Sequence, residues 1–241
     1  MNNMFDGVAP IVKREMVLFF FIDVSGSMSG TKIGAVNTAI REVLPELRGI
    51  GGSDAVIRIA CLKFSTDWEW MHPAPIPAED FQWEPVTAGG MTNFGEACEE
   101  LAKKMSRESF LKAPSASVAP AIFLMSDGQP TDSYMDGLEK LRKNRWFQHA
   151  IKVAVAIGDD ADSAVLQEFT GSSEAVLRVH TPEALRKMIR FVSVTSSRVG
   201  SQSQGVINGA SLQTKQEAVE QQIAEFVADD PALQQKADDW D

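Results

Sequence analysis

The chain has 241 residues, 44% of them hydrophobic and 23% charged, which fits a folded protein and excludes one disordered throughout. Its 33 Asp and Glu against 23 Lys and Arg leave a formal net charge of -10, which argues against docking on nucleic-acid phosphates or an anionic membrane surface. Cys61 and Cys98 are the only cysteines, too few for a disulfide framework, and neither has Cys or His neighbours at zinc-ligand spacing.

Residues 1–11 form an N-terminal extension with Asp6 and no basic stretch, unlike a secretory signal, so a cytoplasmic location is expected. The run Met16–Ile22 (MVLFFFI) is continuously apolar, as a central strand covered on both faces requires. It is far shorter than the ~20 residues of a membrane-spanning helix. Lys32–Leu47 then places Ile33, Val36, Ile40, Val43, Leu44 and Leu47 on one helical face. Ala55–Phe64 (AVIRIACLKF) is rich in β-branched residues and reads as a second strand, with Trp68–His72 as a short edge strand beside it. Trp68 and Trp70 alternate along that strand, so core packing on one shared face is expected for both. A Pro-rich connection, Pro73–Pro85, leads to the loop Thr87–Thr92 (TAGGMT), whose glycine pair gives the backbone freedom for a close approach.

A helix is predicted over Asn93–Leu111, followed by the Pro-rich stretch Ala113–Pro120 and a buried strand at Ala121–Met125 (AIFLM). Ser133–Arg145 reads as a helix, Ile151–Ile157 (IKVAVAI) as a strand, Asp162–Phe169 as a helix and Ala175–Val179 as a weaker strand. Thr181-Pro182-Glu183 starts a helix that runs to Val194, with Thr as N-cap and Pro at the first helical position. Ser196–Gly209 has the composition of a flexible linker, and Ser211–Ala228 has the spacing of an amphipathic helix before an acidic end. Alternating strands and helices predict an α/β fold: a doubly wound, mostly parallel central sheet flanked by helices, with one short antiparallel edge strand. The expected domain spans 12–198, and 199–241 form a linker and acidic tail.

Ligands in such folds bind beyond the carboxyl ends of the strands. The first strand runs into Asp23-Val24-Ser25-Gly26-Ser27, a carboxylate and two hydroxyls that a glycine turn can aim at one point. A carboxylate at the end of so apolar a strand is costly unless something neutralises it. A later strand ends in Ser126-Asp127-Gly128, and the glycine loop ends in Thr92 just before a helix. Two carboxylates and three hydroxyls are hard donors suited to Mg²⁺, Mn²⁺ or Ca²⁺, and an octahedral Mg²⁺ would keep a position open. Taken singly, Asp23, Ser25 and Ser27 could cap the next helix, Thr92 could be an N-cap and Asp127 a turn residue. Their joint occurrence favours a metal.

These blocks resemble the metal-ion-dependent adhesion site (MIDAS) of von Willebrand factor A domains, over about residues 15 to 195. The resemblance implies Ser25, Ser27 and Thr92 as hydroxyl ligands, with Asp23 and Asp127 bound directly or through water. It also implies a non-enzymatic module whose open coordination position takes an Asp or Glu of a protein partner. The chain is similar to bacterial intracellular A domains of the tellurite-resistance and stress-response (TerY) type, whose partners include protein kinases and PP2C-like phosphatases. Met91 is large where that family's loop often has a small residue, which would narrow the rim. The loops Ala74–Met91 and Thr131–Asp136 are candidates for the selecting rim.

A P-loop is rejected, because Gly30 is followed by Thr31 and Lys32 by Ile33. A phosphatase of the haloacid-dehalogenase type would need an acid two residues after its nucleophile, where Ser25 stands. A third reading makes any metal structural and gives binding to the C-terminal segment. His72, His149 and His180 lie in no nucleophile motif and read as surface or packing residues.

Overall fold

A computed structural model describes residues 13–50, 55–112, 118–201 and 214–234. The expected N-terminal extension, most of the expected linker, and the tail residues Asp238, Asp239 and Asp241 lie outside the described residues. Strand β1 (Arg14–Asp23) is followed by helix α1 (Thr31–Arg48), β2 (Ala55–Phe64), β3 (Trp68–Trp70) and β4 (Ile76–Pro77). Then come α2 (Phe94–Lys104), β5 (Ala121–Ser126), α3 (Met135–Arg142), α4 (Arg145–His149) and β6 (Ile151–Ile157). Helix α5 (Ser163–Thr170), β7 (Val176–Val179), α6 (Pro182–Ser201) and α7 (Lys215–Asp229) complete the set. None of the described helices is long and apolar enough to cross a membrane.

The strands form one sheet in the order β3-β2-β1-β5-β6-β7, with β4 paired to β2 off this path. Neighbours from β2 through β7 run parallel, whereas β3 and β4 both run antiparallel to β2. This is the doubly wound α/β sheet expected, with a second short antiparallel piece at the edge. Pro77 sits in that piece, where an absent N–H is tolerated. Chain order reverses at β1, so the loops after β1 and β5 diverge and leave a crevice between them.

The unbroken apolar run of β1 divides by alternation. Met16, Leu18, Phe20 and Ile22 pack in one layer with Val36, Ile40, Leu185 and Ile189 of α1 and α6. Val17, Phe19 and Phe21 pack in the other with Phe94, Leu101, Leu138 and Phe169 of α2, α3 and α5. Both faces of the strand are therefore core, as its sequence required.

Several boundaries differ from the sequence expectation. Helix α2 stops at Lys104 rather than Leu111, because the Asn144 amide donates to the carbonyls of Ala102 and Met105 and the chain folds back through a Phe110 N–H to Lys104 hydrogen bond. Phe110 and Leu111 are still buried, so their spacing imitated a longer helix. The predicted helix Ser133–Arg145 divides into α3 and α4, with Asn144 Oδ1 capping α4 through the N–H groups of Trp146 and Phe147. Helix α6 continues to Ser201, through the start of the stretch read as linker. Ser193, Ser196 and Ser197 are buried there, their small side chains permitting close packing. Helix α7 places Val219 and Ile223 in the same core layer as α1 and α6, and its Phe226 stacks on Phe191 at 4.0 Å. Trp70 packs edge-on against Phe110, as expected, but Trp68 is 39% exposed because the Phe110 turn covers only its neighbour.

Candidate metal centre

The register of β1 with β2 and β5 pairs Asp23 with Phe64 and Ile22 with Met125. Asp23 and Ser126 thus end adjacent strands side by side. Asp23 is fully buried, and each of its carboxylate oxygens accepts one hydrogen bond. Oδ1 accepts from the Ser25 N–H at 2.8 Å and Oδ2 from the Ser126 hydroxyl at 2.6 Å. Ser126 Oγ in turn accepts from the Gly128 N–H at 2.7 Å, which fixes the turn that carries Asp127.

The glycine loop is tied to the first loop by backbone bonds. Gly26 N–H donates to Gly90 O at 3.0 Å and Gly89 N–H to Val24 O at 2.8 Å. A Cβ on Gly26 would stand 3.3 Å from Gly90 O, so the small residue permits this approach. Thr92, buried, is held by a reciprocal pair: its N–H donates to Thr131 Oγ1 and its carbonyl accepts from the Thr131 N–H, both at 2.9 Å. The loops bearing Asp23, Ser25, Ser27, Thr92 and Asp127 therefore converge at one end of the sheet.

The helix-capping alternative for these hydroxyls is not used. Ser25 makes no side-chain cap, the N-cap position of α1 is Gly30, and Ser25 Oγ and Ser27 Oγ lie 3.1 Å from one another. Helix α2 takes its cap from a distant residue, Asp132, whose Oδ2 accepts from the Gly95 N–H at 2.8 Å. Thr92 is thereby released from capping.

Asp127 is the anomaly. Both its carboxylate oxygens are buried and accept no hydrogen bond, although buried polar atoms are almost always paired. Lys32 Nζ lies 3.9 Å from Oδ2 and is shared with Asp160 at 3.5 Å. Burial raises the Asp127 carboxyl above its usual range; the nearby Ser27 hydroxyl, short of hydrogen-bond geometry, and Lys32 pull it back, while Asp160 pushes it further up. Burial likewise pushes Asp23 up to about 6, against the hydrogen bonds from Ser126 and Ser25, with the Asp127 charge adding to the rise.

Desolvating a carboxylate costs several kcal/mol even after relaxation. One ammonium about 4 Å away offsets about 4 kcal/mol at an effective dielectric of 20. Asp127 faces one ammonium that it shares with Asp160, and Asp23 is met by hydrogen bonds from Ser25 and Ser126. Both carboxylates are left undercompensated, and a divalent cation is the group that this donor set fits. Among the described residues no group of three or more His, Cys, Asp or Glu is placed to hold a metal. A cation here must draw on hydroxyls, in contrast to a thiolate or imidazole cage.

Three supporting residues stand beside the five ligand candidates and are not singled out by the sequence as such. Ser126 orients Asp23, Lys32 faces Asp127, and Asp132 caps α2 from a neighbouring loop. The alternation of Ser126 with Gly128 was the available signal for the first. Nothing in the local sequence marks the other two. Asp23 already accepts a donor on each oxygen, and Ser25 occupies the place of the second acid, so nothing in this geometry supports the haloacid-dehalogenase reading.

Comparison with known proteins places this geometry in context. No curated protein matches the chain. Among solved structures, a von Willebrand factor type A protein from Catenulispora acidiphila superposes with a TM-score of 0.57 at 19% identity, covering 76% of this chain and 43% of that one. The proximal thread matrix protein 1 of the mussel byssus, in a structure described as having a zinc occupied MIDAS motif, gives 0.58 at 14% identity, covering 77% and 48%. The pilus adhesin SpaC of Lactobacillus rhamnosus GG gives 0.59 at 14% identity, covering 77% and 30%. The chain thus spans less than half the length of each, and at these identities the likeness is one of fold. The family profile of the von Willebrand factor type A domain matches residues 18–191, a span that begins inside β1, takes in the other described strands and contains all five ligand candidates. The chain belongs to the von Willebrand factor type A domain family.

Proposed function

We propose that this domain is a metal-dependent protein-binding module rather than an enzyme. A divalent cation is held by Asp23, Ser25, Ser27, Thr92 and Asp127, and its coordination is completed by an Asp or Glu of a protein partner. The observation that carries this reading is the pair of Asp127 oxygens, buried and without a donor beside a second buried carboxylate. When bound, the cation supplies the positive charge both carboxylates lack and a Lewis-acidic point for an incoming carboxylate. Mg²⁺ is the proposed ion, and Mn²⁺ and Ca²⁺ suit the same oxygens.

The chain's own residues position the donors. Ser126 holds Asp23, the Thr92–Thr131 pair holds the glycine loop, and Asp132 anchors α2 behind it. The family's association with adhesion sites supports the reading at a coarse level. The finer proposal is a cytoplasmic stress or tellurite-resistance system with a kinase or PP2C-like phosphatase partner, and it draws on the TerY-type sequence resemblance alone.

The test is affinity capture from a cell extract with the intact protein and with Asp23→Ala, each in Mg²⁺ and in EDTA. The expected result is a partner retained by the intact protein in Mg²⁺, released by EDTA and not captured by the variant. Equal capture under all four conditions would contradict the proposal.

A further inference from the structure

Among the described residues, the large hydrophobic side chains that stand exposed are Trp68 at 39%, Met91 at 53% and Met135 at 42%. They do not scatter over the surface. Trp68 pairs with Phe64 at the carboxyl end of β2, beside the Asp23 strand end. Met91 precedes Thr92, and its N–H donates to Thr66 Oγ1 in the loop leading to Trp68. Met135 opens α3 three residues after Asp132, the residue that caps α2, and four after Thr131, the partner of Thr92. The segments carrying Trp68, Met91 and Met135 are thus tied to one another through Thr66 and through the Thr92–Thr131 pair, and form an arc along one rim of the metal centre. An open depression of about 390 Å³, bounded by Val24, Lys63, Trp68, Pro85 and Thr87, lies on the Trp68 side and reaches the residue between Asp23 and Ser25.

Acidic residues outnumber basic ones around this arc. Asp67 and Glu69 flank Trp68, Asp136 follows Met135, and Asp159, Asp160 and Asp162 stand exposed on the loop after β6. Of the nearby cationic side chains, Lys63 is paired with Glu69 at 2.9 Å and Lys32 is held between Asp127 and Asp160. Arg178 donates to the carbonyls of Gly158, Asp159 and Ala161, while the His180 ring lies 2.7 Å from Asp159. A second carboxylate beside the one at the cation would meet this excess of like charge, which solvent ions screen over a Debye length of about 8–10 Å.

We infer that the partner presents a single Asp or Glu with apolar residues immediately beside it and Lys or Arg further out, the apolar residues packing on Trp68, Met91 and Met135. The inference rests on the metal-centred function proposed above and specifies its ligand. Exposed Trp and Met supply contact area that adapts to different apolar side chains. The acidic outer rim selects basic flanks and rejects poly-acidic segments.

The experiment uses the full chain, immobilised in Mg²⁺, to select from a random displayed-peptide library, with bound peptides released by EDTA. The released pool is expected to be enriched in an acid flanked by Leu, Ile, Val, Met or aromatic residues, with Lys or Arg beyond. The same pool is then passed over a Trp68→Ser/Met91→Ser/Met135→Ser variant. This variant is expected to keep the Mg²⁺-induced melting shift of the parent and to lose about tenfold or more of peptide retention. An EDTA-released pool rich in acids alone, a pool no larger than that from Asp23→Ala, or full retention by the triple variant would each overturn the inference. If the parent shows no Mg²⁺-induced melting shift, or releases no larger a pool than Asp23→Ala, the metal-centred function fails; a normal shift and a larger pool with either of the other two outcomes sinks the rim inference alone.

Discussion

Ser126 Oγ donates to Asp23 Oδ2 at 2.6 Å across the β1–β5 pair while accepting from the Gly128 N–H at 2.7 Å. One small hydroxyl thus couples the buried carboxylate of the first strand to the turn that carries the second. Ser126→Ala is expected to cost about 1.5–3 kcal/mol of stability, the worth of a hydrogen bond to a charged group. It is also expected to weaken Mg²⁺ binding by about tenfold, because both carboxylates lose their orientation. Thermal melting with and without Mg²⁺ measures both; an unchanged Mg²⁺ affinity would show that Ser126 has only a structural part.

The pH dependence follows from the same burial. Asp23 has an ordinary value of 3.8 and is pushed up to about 6, and Asp127 is shifted in the same direction. The folded metal-free protein therefore holds these protons more tightly than the unfolded chain does. The Asp23 contribution is complete below about pH 4 and is lost as the pH rises through about 6, and Asp127 contributes in the same sense. A bound cation requires the ionised forms, so the Mg²⁺-induced melting shift is expected to be full near neutrality and to fade as the pH falls below about 6. A shift of constant size across that range would contradict the assignment of Asp23.

Among the described residues Lys32 is the ammonium paired with Asp127, and it carries positive charge where the cation would add more. Lys32→Met keeps the apolar stem and removes the charge. The metal-free variant is expected to melt below the parent, since Asp127 loses its partial counter-ion, while its Mg²⁺ affinity rises several-fold as the repulsion disappears. Isothermal titration of the two proteins with Mg²⁺ gives the comparison, and weaker binding in the variant would mean that Lys32 assists the cation.

Much of this architecture was legible in the sequence because its signals were local. The unbroken MVLFFFI run could only be a doubly covered strand, and the carboxylates and hydroxyls at strand ends had to meet once a doubly wound sheet was inferred. What was not legible depends on partners distant in the chain. Asp132 caps α2 from 37 residues away from Gly95, and Asn144 ends the same helix from beyond a strand. Trp68 and Trp70 alternate identically, and only the position of Phe110 decides which one is covered. The Ser-rich stretch after Val194 has the composition of a linker, yet its serines are small enough to bury against the neighbouring elements, and so α6 continues.

The packing of α7 bears on the alternative in which the C-terminal segment does the binding. Val219 and Ile223 are buried in the core layer, and the Gln216 amide bonds the Lys152 backbone at the amino end of β6, opposite the metal centre. A chain ending at Ser201 is expected to lose about 3–6 kcal/mol, the worth of two buried aliphatic side chains, while keeping its Mg²⁺-induced melting shift. Chelator-insensitive partner binding that disappears with this truncation would favour the C-terminal segment as the docking element.

The claim at the centre is that the two carboxylates are buried for the sake of a cation. Asp127→Asn separates this from a purely structural role, because it keeps the shape of the side chain and removes the charge. Melting in EDTA and in Mg²⁺ is the measurement. The variant is expected to melt above the parent in EDTA, having shed an undercompensated buried charge, and to gain nothing from Mg²⁺, while the parent gains several degrees. A variant that melts below the parent in EDTA yet responds to Mg²⁺ as the parent does would contradict the account.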